Sequence, residues 1–289
     1  MMSMLKQAKV IDGKELARQF KLDVAERVKR LRAQGRPVRL DAILASSNQG
    51  AAIYAENQAR TCEELGITYI LHRLPGDARF EDVAGRVLLL NADEDVSAIM
   101  VHLPLPDSVD TDRIQSLIDP EKDVEGVNPA NIGNVVHGRR SLVPCTALAV
   151  MKMVESTGLD LRGARCVVVG ASNIVGKPVV VLLMGAEATV ISTNIHTRDI
   201  QELTRSADVL ISATGVPHLI RAEMVKPGAV VIDVGISRIV DPDGKPRTVG
   251  DVRFDEVSEV AGWISPVPGG VGPMTVAMLL RNTLDAAER

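Results

Sequence analysis

The sequence predicts an α/β protein with parallel β-sheets in two lobes. Short β-branched runs bounded by Gly, Pro or Asp alternate with amphipathic stretches, a pattern typical of βαβ units. A stretch rich in Gly, Asn and Pro at 119–144 interrupts this alternation and is predicted to be loop. We therefore place the crossing between the two lobes shortly after this stretch.

The individual elements follow from the same pattern. Amphipathic stretches at 14–35 and 51–66 are predicted to be helices, and Gly66 is suited to end the second one. The candidate strands are rich in Val, Ile and Leu. They lie at 39–45, 67–74, 96–106, 164–170, 187–192, 207–215 and 228–236.

Composition limits the class of protein. The chain has 289 residues, 46% of them hydrophobic and 24% charged, which is ordinary for a globular protein with a substantial core. A net charge of −4 without a basic run gives no electrostatic surface for nucleic acid. Small molecules are therefore the expected partners.

Localisation and metal content are also constrained. The first 20 residues contain no apolar signal segment, and no apolar run is long enough to span a bilayer. Cys62, Cys145 and Cys166 are far apart and form no CxxC motif, which argues against disulfides and a zinc site. We expect a cytoplasmic protein without a bound metal or a membrane anchor.

A strand, a glycine-bounded turn and an apolar helix follow one another at 166–185. Pro178 lies in the first turn of that helix, where its missing N–H costs nothing. The geometry suits a phosphate at the helix N-terminus. The spacing of Gly170 and Gly176 matches neither the Walker A loop nor the usual dinucleotide fingerprint. The residues themselves leave open a nucleotide site or a plain turn.

Two further features suggest ligand contacts. Prolines and glycines crowd the stretch "SPVPGGVGPMT" at 265–275, which predicts a rigid loop whose backbone is able to approach a flat ligand or to return the chain to the first lobe. Tyr54 and Gln58 are four residues apart on a predicted helix and so share one face. A neutral amide donates and accepts hydrogen bonds but does not shuttle a proton near neutral pH.

Ordered motifs along the whole chain resemble the methylenetetrahydrofolate dehydrogenase/cyclohydrolase family. These motifs are "VHLPLP" (101–106), "PEKDVEGVNP" (120–129), "GASNIVGKP" (170–178), "VKPGAVVIDVGI" (225–236), "GDV" (250–252) and "PVPGGVGPMT" (266–275). The resemblance implies two α/β domains with a cleft between them, a homodimer, and NADP or NAD on a C-terminal Rossmann-like domain. It implies oxidation of 5,10-methylenetetrahydrofolate by hydride transfer and then hydrolysis of the methenyl cation.

The implied domain limits are residues 1–146 with 272–289 for folate binding and 147–271 for dinucleotide binding. Carried over position by position, the resemblance assigns the dinucleotide to Gly170, Ala171, Ser172, Ile174, Val175, Gly176, Lys177, His196, Thr214, Gly215 and Ile236. It assigns the folate to Tyr54, Val101, His102, Leu103, Glu125, Pro268, Gly269, Gly270, Pro273 and Thr275. Tyr54, Gln58, His102 and Glu125 are the catalytic positions.

Three of these four catalytic positions depart from the family pattern. Gln58 replaces the catalytic lysine, His102 replaces a glutamine, and Glu125 replaces an aspartate that binds the pterin edge. Without the lysine, hydrolysis is expected to be weak or absent, whereas hydride transfer asks less of the protein. His102 is either a replacement acid–base group or a product of drift after one activity was lost.

Cofactor choice and function stay open at this stage. The 192–199 loop has no strong clamp for a 2′-phosphate, and no acidic residue stands ready there to bind a free ribose diol. The family resemblance favours NADP, whereas the residues themselves lean slightly towards NAD. Three functions are compatible with the residues: a folate dehydrogenase with little cyclohydrolase activity, a family member repurposed for another folate or one-carbon transfer reaction, and a non-catalytic folate- or nucleotide-binding protein.

Overall fold

The structure is a computed structural model that describes residues 7–139, 142–240 and 243–289. Arg140 and Ser141 of the predicted loop, and the first six residues of the N-terminal segment, lie outside the described residues. The strands are β1 (Lys9–Val10), β2 (Arg39–Leu44), β3 (Thr68–Arg73), β4 (Ala98–Val101), β5 (Arg165–Val169), β6 (Thr189–Thr193), β7 (Val209–Ser212), β8 (Val230–Asp233), β9 (Ser237–Val240), β10 (Pro246–Val249) and β11 (Trp263–Ile264).

Helices separate most of these strands. They are α1 (Gly13–Ala33), α2 (Gln49–Leu65), α3 (Phe80–Ala92), α4 (Thr111–Leu117), α5 (Pro129–Val136), α6 (Cys145–Glu155), α7 (Gly176–Gly185), α8 (Ile200–Arg205), α9 (Phe254–Val257) and α10 (Val271–Ala287), with a 3-10 helix at Ala222–Met224. In the described part of the chain, no helix is long and apolar enough to cross a membrane.

The described chain divides into two compact units. The first unit contains Gln19–Cys145 and Ala277–Arg289, and the second contains the described residues up to Arg18 and Thr146–Val276. The predicted folate-binding limits begin at residue 1, whereas here β1 pairs in parallel with β11 and so belongs to the second unit. The functional domain limits stay a prediction.

The first unit is built on a parallel sheet with the order β3-β2-β4. One side of this sheet contributes to a core with α3 and α4, in which Ile43, Val87, Ile99 and Ile114 are fully buried. Helix α2 begins at an Asn48 cap and ends at Gly66, which adopts the left-handed conformation that glycine tolerates best. The predicted helix stop is therefore confirmed.

The second unit is built on a sheet with the order β1-β11-β8-β7-β5-β6, in which every described pairing is parallel. Its central strands contribute Val167, Leu210, Val231 and Ile264 to one core. Such doubly covered parallel strands are typically continuous hydrophobic runs, which is why they were recognisable in the sequence. The prediction of parallel α/β sheets is confirmed.

Two predicted loops contain helix. Within 119–144, Asn128 caps the N-terminus of α5 by accepting a hydrogen bond from the Ala130 N–H at 2.8 Å, and Pro129 occupies the first turn. Within 265–275, α10 begins at Val271. The loop prediction was wrong for these parts, because a Pro or Gly at a helix start resembles a breaker.

Lys122 stabilises the C-terminal end of α3. Its ammonium group donates hydrogen bonds to the carbonyl oxygens of Leu90, Asn91 and Asp93 at 3.2, 2.8 and 2.7 Å. These carbonyls have no partner within the helix, and the helix dipole favours a cation at this end.

We expect Lys122→Met to lower the free energy of unfolding by about 2 kcal/mol, because it removes charge-assisted hydrogen bonds from half-buried carbonyls. Lys29→Met, on an exposed face of α1, is the matched control and should change stability by less than about 0.5 kcal/mol. Urea denaturation of both variants measures the difference. Equal effects would mean that Lys122 is only a surface lysine.

Candidate active site

A pocket of polar side chains forms in the first unit, around the end of β4. The rings of Tyr54 and His102 meet edge to face, with centroids 5.8 Å apart and planes at 81°. The Tyr69 hydroxyl lies 3.0 Å from Nε2 of His102. The structure therefore brings two of the four predicted catalytic positions into contact and adds Tyr69, which the sequence analysis did not single out.

His102 is held in the pocket by its backbone as well as by its ring. Its N–H donates to the Ile43 carbonyl at 2.8 Å, continuing the β2–β4 pairing. The residue is only 3% exposed. Burial lowers the pKa of His102 to about 4, because desolvation disfavours the imidazolium. The imidazole is thus neutral at physiological pH.

Glu125 faces the same region from the loop that precedes α5. Its Oε2 accepts a hydrogen bond from the Val101 N–H at 3.3 Å, directly before His102. Burial raises the pKa of Glu125 to about 7, and the neighbouring Asp123 adds to the rise. Desolvation of the phenol and the carboxylate of Glu125 both raise the pKa of Tyr54, although the residue as a whole is 45% exposed.

Gln58 lies on the inward face of α2, in the buried stripe with Ala51, Ala55 and Cys62. It is 4% exposed, and neither its amide nitrogen nor its amide oxygen has a hydrogen-bond partner among the described residues. A buried amide without partners is unfavourable by about 1–3 kcal/mol. A ligand or a water molecule that bonds to this amide would remove that cost.

The pocket residues differ in how they titrate. Burial raises the pKa of the phenols Tyr54 and Tyr69 and lowers that of His102. Among these groups, only Glu125 has a pKa that is shifted towards neutral pH. None of these side chains carries an ammonium group. The two other predicted folate-binding positions here, Val101 and Leu103, are respectively buried and 44% exposed.

A second candidate site lies at the carboxyl ends of β5 and β7 in the second unit. From β5 the chain continues to β6 on one side, whereas β7 pairs with β5 on the other side. Adjacent parallel strands whose connections run in opposite directions create a crevice where α/β proteins bind ligands. The predicted dinucleotide residues after β5 and β7 meet at this point.

Two glycines make the close approach of these loops possible. A Cβ on Gly170, whose φ is +104°, would overlap the Ala213 carbonyl, and a Cβ on Gly176 would overlap the Gly170 carbonyl. Both positions therefore require glycine for backbone packing. The two glycines that fit neither familiar phosphate motif are thus explained by tight contact between the turn and its neighbours.

Helix α7 begins at this turn without a side-chain cap from Val175, its N-cap residue. The Gly176 N–H donates to the Ser172 hydroxyl at 3.3 Å, and Lys177 donates to the Asn173 side chain at 2.7 Å. The Lys177 N–H donates to the Ser172 carbonyl at 3.0 Å and Pro178 has no N–H, so the first amide groups of α7 are engaged within the turn itself. Contact of this turn with the pyrophosphate of a dinucleotide stays a prediction.

The loop after β7 is held by Asp251, which the sequence analysis quoted only as part of a motif. Its Oδ2 accepts hydrogen bonds from the Ser212 hydroxyl at 2.8 Å, from the Thr214 N–H at 2.7 Å and from the Thr214 hydroxyl at 2.8 Å. These bonds fix the backbone next to Gly215. Asp251 thus positions two of the predicted dinucleotide residues.

The remaining predicted dinucleotide positions are solvent-facing. Ile174 and Ile236 are 49% and 65% exposed, which leaves apolar surface free for a flat ring. His196 follows β6 in an exposed turn, where its N–H donates to the Asn194 side chain at 2.9 Å. Ala171 completes the turn after Gly170.

The stretch 265–275 belongs to the second unit. Pro268, Gly269 and Gly270 form the loop before α10, whereas Pro273 and Thr275 lie in its first turns, where the Thr275 hydroxyl donates to the Val271 carbonyl at 3.1 Å. A Cβ on Gly270 would approach the Pro266 carbonyl. The loop is therefore tightly folded on itself.

The fold and the β5–β7 edge define an α/β protein with a dinucleotide-binding type of second unit. Residues 11–125 match the family described as tetrahydrofolate dehydrogenase/cyclohydrolase, catalytic domain, and residues 144–289 match its NAD(P)-binding domain. The chain belongs to the tetrahydrofolate dehydrogenase/cyclohydrolase family. The resemblance seen in the sequence is thereby confirmed.

Relatives match the chain over nearly its full length. "Bifunctional protein FolD" of Moorella thermoacetica is 45% identical over 98% of this chain and 99% of its own. The FolD structure from Campylobacter jejuni superposes with a TM-score of 0.93 at 41% identity, covering 97% of this chain and 99% of that one. The Trypanosoma brucei FolD structure, complexed with NADP cofactor and inhibitor, has a TM-score of 0.92 at 38% identity and covers 98% of both chains.

The raised pKa of Glu125 makes stability depend on pH. Its ordinary pKa is 4.5 and its folded value is about 7, so the native state binds more protons than the unfolded state between these values. The contribution of this carboxyl to stability is therefore fully present below pH 4.5 and is lost as the pH rises through 7.

Glutamine does not ionise. We therefore expect the free energy of unfolding of Glu125→Gln, relative to that of the parent protein, to be higher at pH 8 than at pH 5. Denaturation curves at the two pH values measure this difference. Glu121→Gln, at an exposed position in the same segment, should show no such gain. An equal stability difference for Glu125→Gln at both pH values would contradict the raised pKa.

Proposed function

We propose that this protein oxidises 5,10-methylenetetrahydrofolate to 5,10-methenyltetrahydrofolate with NADP or NAD, and that it hydrolyses the product weakly or not at all. The buried amide of Gln58, which has no hydrogen-bond partner among the described residues, is the observation that carries the second part. It stands where the resemblance places the catalytic lysine. A neutral amide is unable to accept the proton of an attacking water.

Support for the oxidation step comes from the relatives and from the second unit. The Trypanosoma brucei enzyme is described with NADP, and a Saccharomyces cerevisiae relative with a TM-score of 0.79 and 25% identity is described as an NAD-dependent 5,10-methylenetetrahydrofolate dehydrogenase. The turn at Gly170–Gly176 and the Thr214–Gly215 loop would hold the dinucleotide. When bound, that cofactor supplies the hydride acceptor.

The chain's own residues contribute binding and electrostatics. Oxidation makes the one-carbon unit cationic, so a pocket without an ammonium group opposes this charge less than one with a lysine. Glu125 is proposed to accept hydrogen bonds from the pterin N–H groups, and Tyr54 to pack beside the ring. Because Glu125 is engaged with the pterin, it is not free to activate water.

His102 is a weak candidate for the missing base. A general base works best when its pKa lies near the operating pH, whereas burial lowers the pKa of His102 to about 4. This favours a neutral hydrogen-bonding role over the acid–base replacement considered from the sequence. The proposed sites therefore retain Tyr54, His102 and Glu125 as ligand contacts.

A second candidate function is a different folate or one-carbon transfer reaction. Two of the altered positions lie near the end of β4: Glu125 accepts a hydrogen bond from the Val101 N–H, and the adjacent His102 bonds to Tyr69. Such grouped changes are also what a remodelled pocket would show. This candidate predicts good folate binding with poor turnover of methylenetetrahydrofolate.

We also propose a cytoplasmic homodimer. The family resemblance supports the dimer, and three buried cysteines without disulfides support a reducing compartment. Light scattering of the purified chain measures the assembly state, and a monomer at micromolar concentration would contradict the dimer.

The proposed function is tested by supplying the purified chain with 5,10-methylenetetrahydrofolate and either NADP or NAD. We expect methenyl absorbance to accumulate and its decay, in a separate run without cofactor, to match the rate in buffer. Enzyme-dependent decay would contradict the missing hydrolysis step. No methenyl with either cofactor, together with folate binding by titration, would favour the second candidate function.

Restoring the lysine tests the role of position 58. We expect Gln58→Lys to accelerate methenyl hydrolysis at least about tenfold, because a positioned acid–base group typically contributes a hundredfold or more. Asn57→Lys adds the same charge at the adjacent exposed position of α2 and should leave hydrolysis unchanged. Equal rates for the two variants would show that position 58 does not control this step.

A further inference from the structure

We propose that Tyr69 is a positioning residue of the folate pocket, which bonds to Nε2 of His102 and leaves Nδ1 as the ring nitrogen that contacts the ligand. The proposal rests on the proposed function for the identity of the ligand. Its geometric basis is the 3.0 Å separation of the Tyr69 hydroxyl and Nε2 of His102.

Three contacts from three different elements hold His102, one through its backbone and two through its ring. The N–H of His102 is held by the Ile43 carbonyl of β2, its ring meets Tyr54 of α2 edge to face, and its Nε2 is bonded to Tyr69 of β3. The ring is almost completely buried. A side chain constrained in this way presents its remaining nitrogen in one direction.

The remaining nitrogen has no partner in the part of the chain that the structure describes. Nδ1 of His102 makes no hydrogen bond with any described residue, whereas Nε2 is occupied by Tyr69. A neutral imidazole carries one donor and one acceptor nitrogen. Whichever role Tyr69 imposes on Nε2, Nδ1 takes the opposite one.

The chemistry of Tyr69 selects the tautomer. A phenol hydroxyl is a better hydrogen-bond donor than a neutral imidazole N–H, and an imidazole nitrogen is a better acceptor than a phenol oxygen, so the Tyr69 hydroxyl donates to Nε2. Nδ1 then carries the ring proton and offers an N–H donor. Such a donor suits an acceptor on the ligand, such as the carbonyl oxygen or a ring nitrogen of a pterin.

This arrangement explains why the two residues occur together. The resemblance places a glutamine at position 102, and a glutamine amide always contains an N–H donor. A histidine offers a donor at a given nitrogen only when a second group sets its tautomer. Tyr69 is that group, which makes His102 a neutral substitute for an amide rather than a base.

The kinetic test compares Tyr69→Phe in two backgrounds. Phenylalanine fills the same volume, so the variant removes only the hydroxyl. In the parent chain we expect kcat for methenyl formation to fall about tenfold, because the variant loses the hydrogen bond that orients His102. The KM for the dinucleotide should be unchanged. In a His102→Gln background, the same substitution should change kcat by less than about twofold.

Equal losses of kcat in both backgrounds would overturn the proposal, since Tyr69 would then act independently of His102. No loss in the parent chain would overturn it as well. Thermal unfolding of each variant separates a loss of folding from a loss of positioning, because the hydroxyl is not expected to decide whether the chain folds.

A second measurement does not depend on turnover. In protein labelled with ¹⁵N-histidine, the His102 signals, assigned by their absence in His102→Gln, should show a single neutral tautomer with Nδ1 protonated from pH 6 to 8. Tyr69→Phe should shift them towards a mixture of tautomers. Identical spectra would overturn the positioning role, even if the protein proved not to oxidise methylenetetrahydrofolate.

Discussion

Parallel strand pairing is the constraint on which both candidate sites depend. It brings the carboxyl ends of neighbouring strands to one edge, so residues that follow different strands become neighbours. In the first unit, pairing of β4 with β2 places His102 beside the Ile43 carbonyl. In the second unit, pairing of β5 with β7 brings Gly170 against Ala213. His102 in the first unit and the turn after β5 in the second owe their positions to these two edges.

Desolvation is the second organising influence, because it drives the polar groups of the first pocket towards their neutral forms. The pKa of His102 falls, whereas those of Glu125 and Tyr69 rise. Such a pocket is suited to binding a ligand through hydrogen bonds. It is poorly suited to activating water, which agrees with an amide at position 58.

In the second unit, buried carboxyl groups hold the loops that follow the strands. Asp251 and Asp233 are buried beneath the loops after β7 and β8, where Asp233 accepts the N–H groups of Gly235 and Asp251 at 3.0 Å. Burial raises the pKa of Asp233 to about 6, and the nearby Asp251 adds to the rise. These carboxyls organise backbone rather than ligand. Rigid loops of this kind reduce the entropy lost when a dinucleotide binds.

Most of the fold was predictable because local patterns carry it. The strand runs and the helix stop at Gly66 were recognised from hydrophobic spacing and glycine chemistry. The start of α5 was missed, since Asn128 and Pro129 are equally common in loops and at helix N-termini. The predicted strand at 96–106 shortens to Ala98–Val101, because hydrophobicity alone does not show where pairing with a neighbour ends.

The sequence by itself determined the family, the parallel α/β architecture and the substitutions at positions 58, 102 and 125, because these depend on residue identity and order. Only the tertiary structure decided what surrounds the substituted side chains. The buried amide of Gln58, the neutral His102 and its bond to Tyr69 depend on burial and on contacts between residues far apart in the chain. Desolvation and hydrogen bonding act through space, so no local pattern contains them.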